Sequence, residues 1–257
     1  MSFLLLWIIV FFVGASVGSF LNVCIYRIPA GRSVVSPPSS CPACGNRIRW
    51  HDNLPVLGWF LLRGRCRDCS APISLRYPLV EALCGALTVA LLLRFGISFT
   101  FLSFWTLTMS LVVVTFIDLD HQIIPDLITL PGIAAGFLSS FLLPWLSWKS
   151  SLLGILLGGG VLLAIANAYE LVTKKEGMGG GDVKLLAMMG AFLGWKSIPF
   201  ILFASSLVGS LIGLILMRMT KSDGKLAIPF GPFLSLGALI YLFCGKEIIT
   251  WYFSLFG

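Results

Sequence analysis

Apolar residues fall into eight long runs, at 3–23, 78–95, 99–117, 123–145, 151–172, 183–194, 197–217 and 228–244, joined by polar connections. Most approach the ~20 residues that a helix needs to cross about 30 Å of hydrocarbon. The pattern predicts about eight membrane helices. The sixth run is too short for a regular span. Either non-helical backbone completes it under cover of protein or a water-filled cavity, or it continues past Trp195. The first run is long, lacks a basic lead-in and is followed by no small-residue cleavage site, so it reads as a retained anchor.

Composition agrees. The chain is 58% hydrophobic and 11% charged, with a mean hydropathy of +0.97, whereas soluble domains carry about 25% charged residues. The fold class expected is an all-α polytopic membrane protein whose first partner is the lipid bilayer. The net charge of +7 sits in the connections, so nucleic acid is not an expected partner. Its distribution sets orientation. Residues 24–77 hold eight arginines (Arg27, Arg32, Arg47, Arg49, Arg63, Arg65, Arg67 and Arg76) against two acids, Asp52 and Asp68. That segment is expected in the cytoplasm and the N-terminus outside. Alternation then puts 118–122, 173–182 and 218–227 on the same side, the last two with Lys174, Lys175, Arg218, Lys221 and Lys225. The outer connections hold about one basic residue each, Arg94, Lys149 and Lys196. Asp118 and Asp182 thus emerge at one face.

The expected domains are a first membrane helix at 1–23, a cytoplasmic segment at 24–77 and a membrane domain at 78–257. The middle segment contains "CPACG" and "CRDC", two C-x-x-C pairs separated by 21 residues. Each turn aims two sulfurs at one point, and Cys41, Cys44, Cys66 and Cys69 together suit a four-cysteine zinc knuckle. The alternative is disulfides or redox pairs; a reducing cytosol argues against stable disulfides. Few aliphatic residues are available for a core, so a metal would supply much of the folding energy. Cys24, Cys84 and Cys244 are expected to be packing residues.

Seven acids lie in or near the runs: Glu81, Asp118, Asp120, Asp126, Glu170, Asp182 and Glu247. Such groups are costly in a membrane and usually functional. Glu81 and Glu170 read as interfacial anchors, Glu81 within reach of Arg76, and Glu247 as a solvated tail residue. Asp120 is about 200° round a helix from Asp118, so the two do not share a face. Asp126, beside Pro125, suits helix-end chemistry or the orienting of a neighbour. His121 reads as a headgroup-level polar residue, and Lys184 as one that snorkels. Two carboxyls from different helices can form an aspartic-protease dyad: one proton is shared, the ionised acid activates water, and the other polarises the scissile carbonyl.

Several stretches resemble the type IV prepilin peptidases, relatives of presenilin-type membrane aspartyl proteases, over almost the whole chain. They are "GSFLNVCIYRIP", the double C-x-x-C segment, "ISLRYPLVEALCG", "IDLDHQIIPD" and "GMGGGDVKL". The resemblance places Asp118 and Asp182 as the catalytic aspartates, with Gly179, Gly180 and Gly181 before the second. The triple glycine is expected to be unwound backbone that lies close to an extended substrate. A bacterial inner-membrane enzyme is implied, one that cuts the basic leader from prepilins or pseudopilins at the cytoplasmic face. Methylation of the new N-terminus with S-adenosylmethionine is also implied, linked to Gly64 and Arg65, where the family often carries lysine. A peptidase without methyltransferase activity and an ion-coupled transporter are the alternatives. Gly14 and Gly18 form a G-x-x-x-G that suits packing within or between chains.

Overall fold

The computed structural model describes residues 2–174, 179–220 and 228–254. Lys175, Gly177, Met178, Lys221 and Lys225 lie outside the described residues. Among those described there is no strand. The helices are α1 (Ser2–Arg27), α2 (Leu57–Leu61), α3 (Arg76–Phe95), α4 (Phe99–His121), α5 (Asp126–Ser139), α6 (Trp148–Thr173), α7 (Gly180–Leu193), α8 (Ser197–Thr220) and α9 (Gly231–Ser254). Each apolar run yields one helix, and α2 is a short turn in the polar segment. Among the described residues six helices, α1, α3, α4, α6, α8 and α9, are long and apolar enough to cross a membrane.

The two exceptions correct the sequence reading. The run at 123–145 forms only the 14 residues of α5, about 21 Å. It ends where the Ser139 and Ser140 hydroxyls donate to the carbonyls of Gly136 and Phe137, at 2.8 and 2.6 Å. The sixth run also forms a 14-residue helix, α7. It does not continue past Trp195, because Gly194 takes φ +78° and stops it. Nor are the glycines unwound: Gly180 and Gly181 are the first two helical residues, and Gly179 is the extended N-cap. At the other end, α9 runs to Ser254, so Glu247 is on a helix and not in a tail; it is exposed, as expected.

The chain forms two compact units, 1–113 and 114–257. In the first, α1 lies along α3. A Cβ at Gly14 would meet the backbone of Cys84 and the side chain of Thr88, and one at Gly18 would meet Glu81 and Cys84. The G-x-x-x-G therefore serves packing within the chain. Cys24 and Cys84 are buried as expected, but Cys244 on α9 is exposed, so it is not a packing residue.

In the second unit α7 touches α5, α6, α8 and α9. Every residue from Leu185 to Leu193 is buried. A short apolar helix is stable here because protein, rather than lipid, surrounds it. The contact with α6 is backbone on backbone: a Cβ at Gly154 or Gly190 would strike the other residue's carbonyl group. Ser151 adds a buried hydrogen bond to the Ala191 carbonyl, 2.7 Å long. This packing fixes where α7 begins, and hence where Asp182 sits.

Candidate active site and candidate metal centre

The cysteine segment is built from two copies of one turn. Cys41 N–H donates to Asn46 and Gly45 N–H to Cys41, both at 2.9 Å. Twenty-five residues on, Cys66 N–H donates to Ala71 at 2.8 Å and Ser70 N–H to Cys66 at 3.0 Å. Gly45 and Ser70 close the turns with positive φ, 75° and 59°. Arg67 joins the second turn to the loop after the first through a bidentate pair with Asp52, Nε–Oδ2 2.8 Å and Nη2–Oδ1 2.5 Å. The Arg67 guanidinium holds the Asp52 carboxyl below the usual carboxylate range. Asn46 Nδ2 donates to Asp68 at 3.2 Å, a second link.

The cysteine sulfurs meet between the turns. All four lie within 4.8 Å of one another and are free thiols. The Cys41 and Cys69 sulfurs are 3.8 Å apart; tetrahedral zinc at about 2.3 Å from each sulfur needs a separation of about 3.8 Å. Backbone N–H groups of Cys44 and Ala43 bring the Cys41 thiol down to about 7. At Cys69 the Ala71 N–H acts in the same direction, but burial and the adjoining sulfurs outweigh it and push the thiol up to about 12. One thiolate forms readily and its neighbours resist. A divalent cation removes that conflict, so the cluster can hold a metal ion.

Gly64 and Arg65 lie at the start of the second turn. Gly64 has φ +67° and packs on the Trp59 ring, where a Cβ would come within 2.8 Å. Glu81 is not an interfacial anchor. It is buried on α3, and its Oε2 accepts the Val56 N–H across 2.6 Å. Val56 has φ +63°, uncommon for a β-branched residue. The carboxylate thus ties the loop before α2 to α3.

Both aspartates belong to the second unit. Asp118 is in the last turn of α4 and only 4% exposed. Its Oδ2 accepts the N–H of Gly231, the first residue of α9, at 2.9 Å. Asp182 is in the first turn of α7, close enough to Asp118 to feel its charge. Its Oδ1 is buried and has no hydrogen-bond partner among the described residues. Ile124 adjoins the starts of both α7 and α9: a Cβ at Gly181 would approach Ile124 Cβ to 2.8 Å, and one at Gly231 would approach Ile124 Cδ1 to 3.3 Å. Gly179 and Gly180 face open space. Asp120 and His121 are exposed. Asp126 lies in the first turn of α5. It binds Lys184 through both carboxylate oxygens at 2.7 Å, so Lys184 is an ion-pair partner rather than a snorkelling residue.

Sequence reasoning missed Gly231. The available signal was the Gly231–Pro232 pair at the head of the last apolar run, where proline suits a first helical turn.

Residues 105–214 match the Type IV leader peptidase family, and residues 12–95 match the Bacterial Peptidase A24 N-terminal domain. A protein of Aeromonas hydrophila named prepilin leader peptidase/N-methyltransferase is 40% identical, over 96% of this chain and 94% of its own. The chain belongs to the type IV leader peptidase family. A Pseudomonas putida member with the same name is 39% identical, over 95% of this chain and 92% of its own. For one from Myxococcus xanthus the identity is 41%, over 84% of this chain and 65% of its own. No solved structure matches this chain.

Proposed function

We propose that this membrane protein cleaves the basic leader from prepilins or pseudopilins and methylates the N-terminus so exposed. The observation that carries the peptidase reading is that two acids from different helices, Asp118 buried at the end of α4 and Asp182 in the first turn of α7, are near enough for the charge of one to act on the other. The family and the names of its members support it.

The dyad shares one proton. Its ionised member takes a proton from water as the water oxygen bonds to the scissile carbonyl carbon. The protonated member donates to the carbonyl oxygen. Collapse breaks the C–N bond, and the proton taken from water passes to the leaving amine. Gly179 and Gly180, which face open space, leave room for an extended substrate backbone. Asp126 positions α7 through Lys184. The arginines of 24–77 support a cytoplasmic location for that segment and for the active site, in the bacterial inner membrane with the N-terminus outside. The domain division 1–23, 24–77 and 78–257 follows the same reading.

Zinc is the metal that best suits four thiolates in this arrangement. S-adenosylmethionine, when bound, supplies an electrophilic methyl group for the new amine. A groove of about 640 Å³ on the cysteine segment, lined by Arg47, Arg49, Trp50 and His51 among others, fits its chemistry. The guanidinium groups match its carboxylate, and the exposed Trp50 ring can stack on adenine or face the sulfonium. Gly64 and Arg65 shape the neighbouring turn.

Asp118→Asn and Asp182→Asn are each expected to lower the rate of leader removal by about 10²-fold or more, the contribution of a general acid or base. Leader removal from a prepilin in membranes, at matched protein levels, checks it. Cleavage near the wild-type rate by either variant removes the dyad.

A further inference from the structure

We propose that the backbone N–H of Gly231 is a positioning group of the peptidase site: it holds Asp118 as the ionised carboxylate that activates water and leaves Asp182 to carry the shared proton. The inference rests on the peptidase reading above. The Gly231 N–H is among those that a helix leaves without an internal partner, and it donates to Asp118 Oδ2 across 2.9 Å. It also stands at the positive end of a 24-residue helix, α9. Both effects favour a charged carboxylate in a place that water scarcely reaches.

Asp182 lacks this support, since Oδ1 is buried without a donor. A charge there is costly, and a proton removes the cost. The dipole of α7 also acts on Asp182, but no amide of that helix bonds to the buried oxygen. Among the described residues, the other charged groups near these helix ends are engaged or exposed. Lys184 of α7 is held by Asp126 of α5. Asp120 and His121 of α4, Glu170 near the end of α6 and Arg218 near the end of α8 are exposed. The first turn of α9, Gly231–Leu234, has no ionisable side chain.

The chemistry balances. Asp118 takes a proton from water as the C–O bond forms, and Asp182 gives its proton to the carbonyl oxygen. On collapse Asp118 protonates the leaving nitrogen and Asp182 recovers its proton, so both return to their starting states. The position demands glycine, because a Cβ would lie 2.7 Å from Asp118 Oδ2 and force the carboxylate off the amide.

Two measurements on the full chain in lipid vesicles test the proposal. Infrared spectra without substrate should show a protonated-carboxyl stretch that is lost in Asp182→Asn and kept in Asp118→Asn. The reverse pattern, or no such band assignable to either residue, overturns it. The pH–rate profile of Gly231→Ala should show kcat lower by about 10-fold or more with KM within about two-fold. The acidic limb should move to higher pH while the basic limb stays. An unchanged profile at normal protein level overturns the proposal; if that variant fails to fold, the infrared comparison decides. If Asp118→Asn or Asp182→Asn cleaves normally, the peptidase reading fails. If neither cleaves and the band belongs to Asp118, only the assignment of roles fails.

Discussion

Asp126 and Lys184 can be tested as a unit. They bond at 2.7 Å yet are 53% and 39% exposed, so the pair contributes no more than about 1 kcal/mol to stability. Its value lies in holding the first turn of α7, two residues from Asp182. Asp126→Asn and Lys184→Met should each slow leader removal by about 3- to 10-fold, and the double variant no further than either single one, the non-additivity expected of partners. Cleavage rates from the double-mutant cycle check this. For the methyl donor, Trp50→Ala and Arg47→Ala should weaken binding of S-adenosylmethionine by about 10-fold each, on the order of one aromatic or charged contact, and leave leader removal intact. Equilibrium dialysis against labelled donor reads the first effect. The types of these residues were legible in the sequence, but their partners were not. Lys184 read as a snorkelling residue because helix geometry predicts neighbours three or four positions away, whereas its partner is 58 residues off. Glu81 read as an anchor for the same reason: the amide it accepts comes from a loop 25 residues earlier.

Helices α6 and α7 meet so closely at Gly154 and Gly190 that any side chain there would strike backbone, which has no rotamer to relieve it. Gly190→Leu is therefore expected to destabilise the second unit by about 2 kcal/mol or more, through overpacking of a close-packed core. Because α7 carries Asp182, cleavage should be lost with it. Thermal unfolding in detergent and a cleavage assay check both, and Gly160→Ala, at an open position, should leave both unchanged. Each of the eight apolar runs marked one helix, but among the described residues only six of those helices are long enough to cross a membrane. The runs overstated α5 and left the extent of α7 open, because hydropathy cannot tell a helix enclosed by protein from one that faces lipid. Gly194 stops α7 through its positive φ, a choice that a glycine in sequence permits but does not announce.

The whole chain offers one combined test of metal and orientation. In inside-out vesicles, a chelator should expose Cys41, Cys44, Cys66 and Cys69 to a membrane-impermeant thiol reagent and release about one zinc per chain. Right-side-out vesicles should show neither the labelling nor its increase with chelator, and Cys41→Ser should purify with little zinc. Labelling from the outer face would reverse the orientation. By itself the sequence determined the class of the molecule: long apolar runs leave helices in a bilayer as the available solution, and two C-x-x-C turns at that spacing bring four sulfurs together. It also supplied Asp118 and Asp182 as candidates, since acids are expensive in such surroundings. The tertiary structure decided what surrounds them. It set the Gly231 amide on Asp118 across 113 residues of chain, left Asp182 Oδ1 without a donor and engaged Lys184 elsewhere. Those contacts depend on how helices far apart in sequence pack, and no local pattern of apolar and polar residues encodes that geometry.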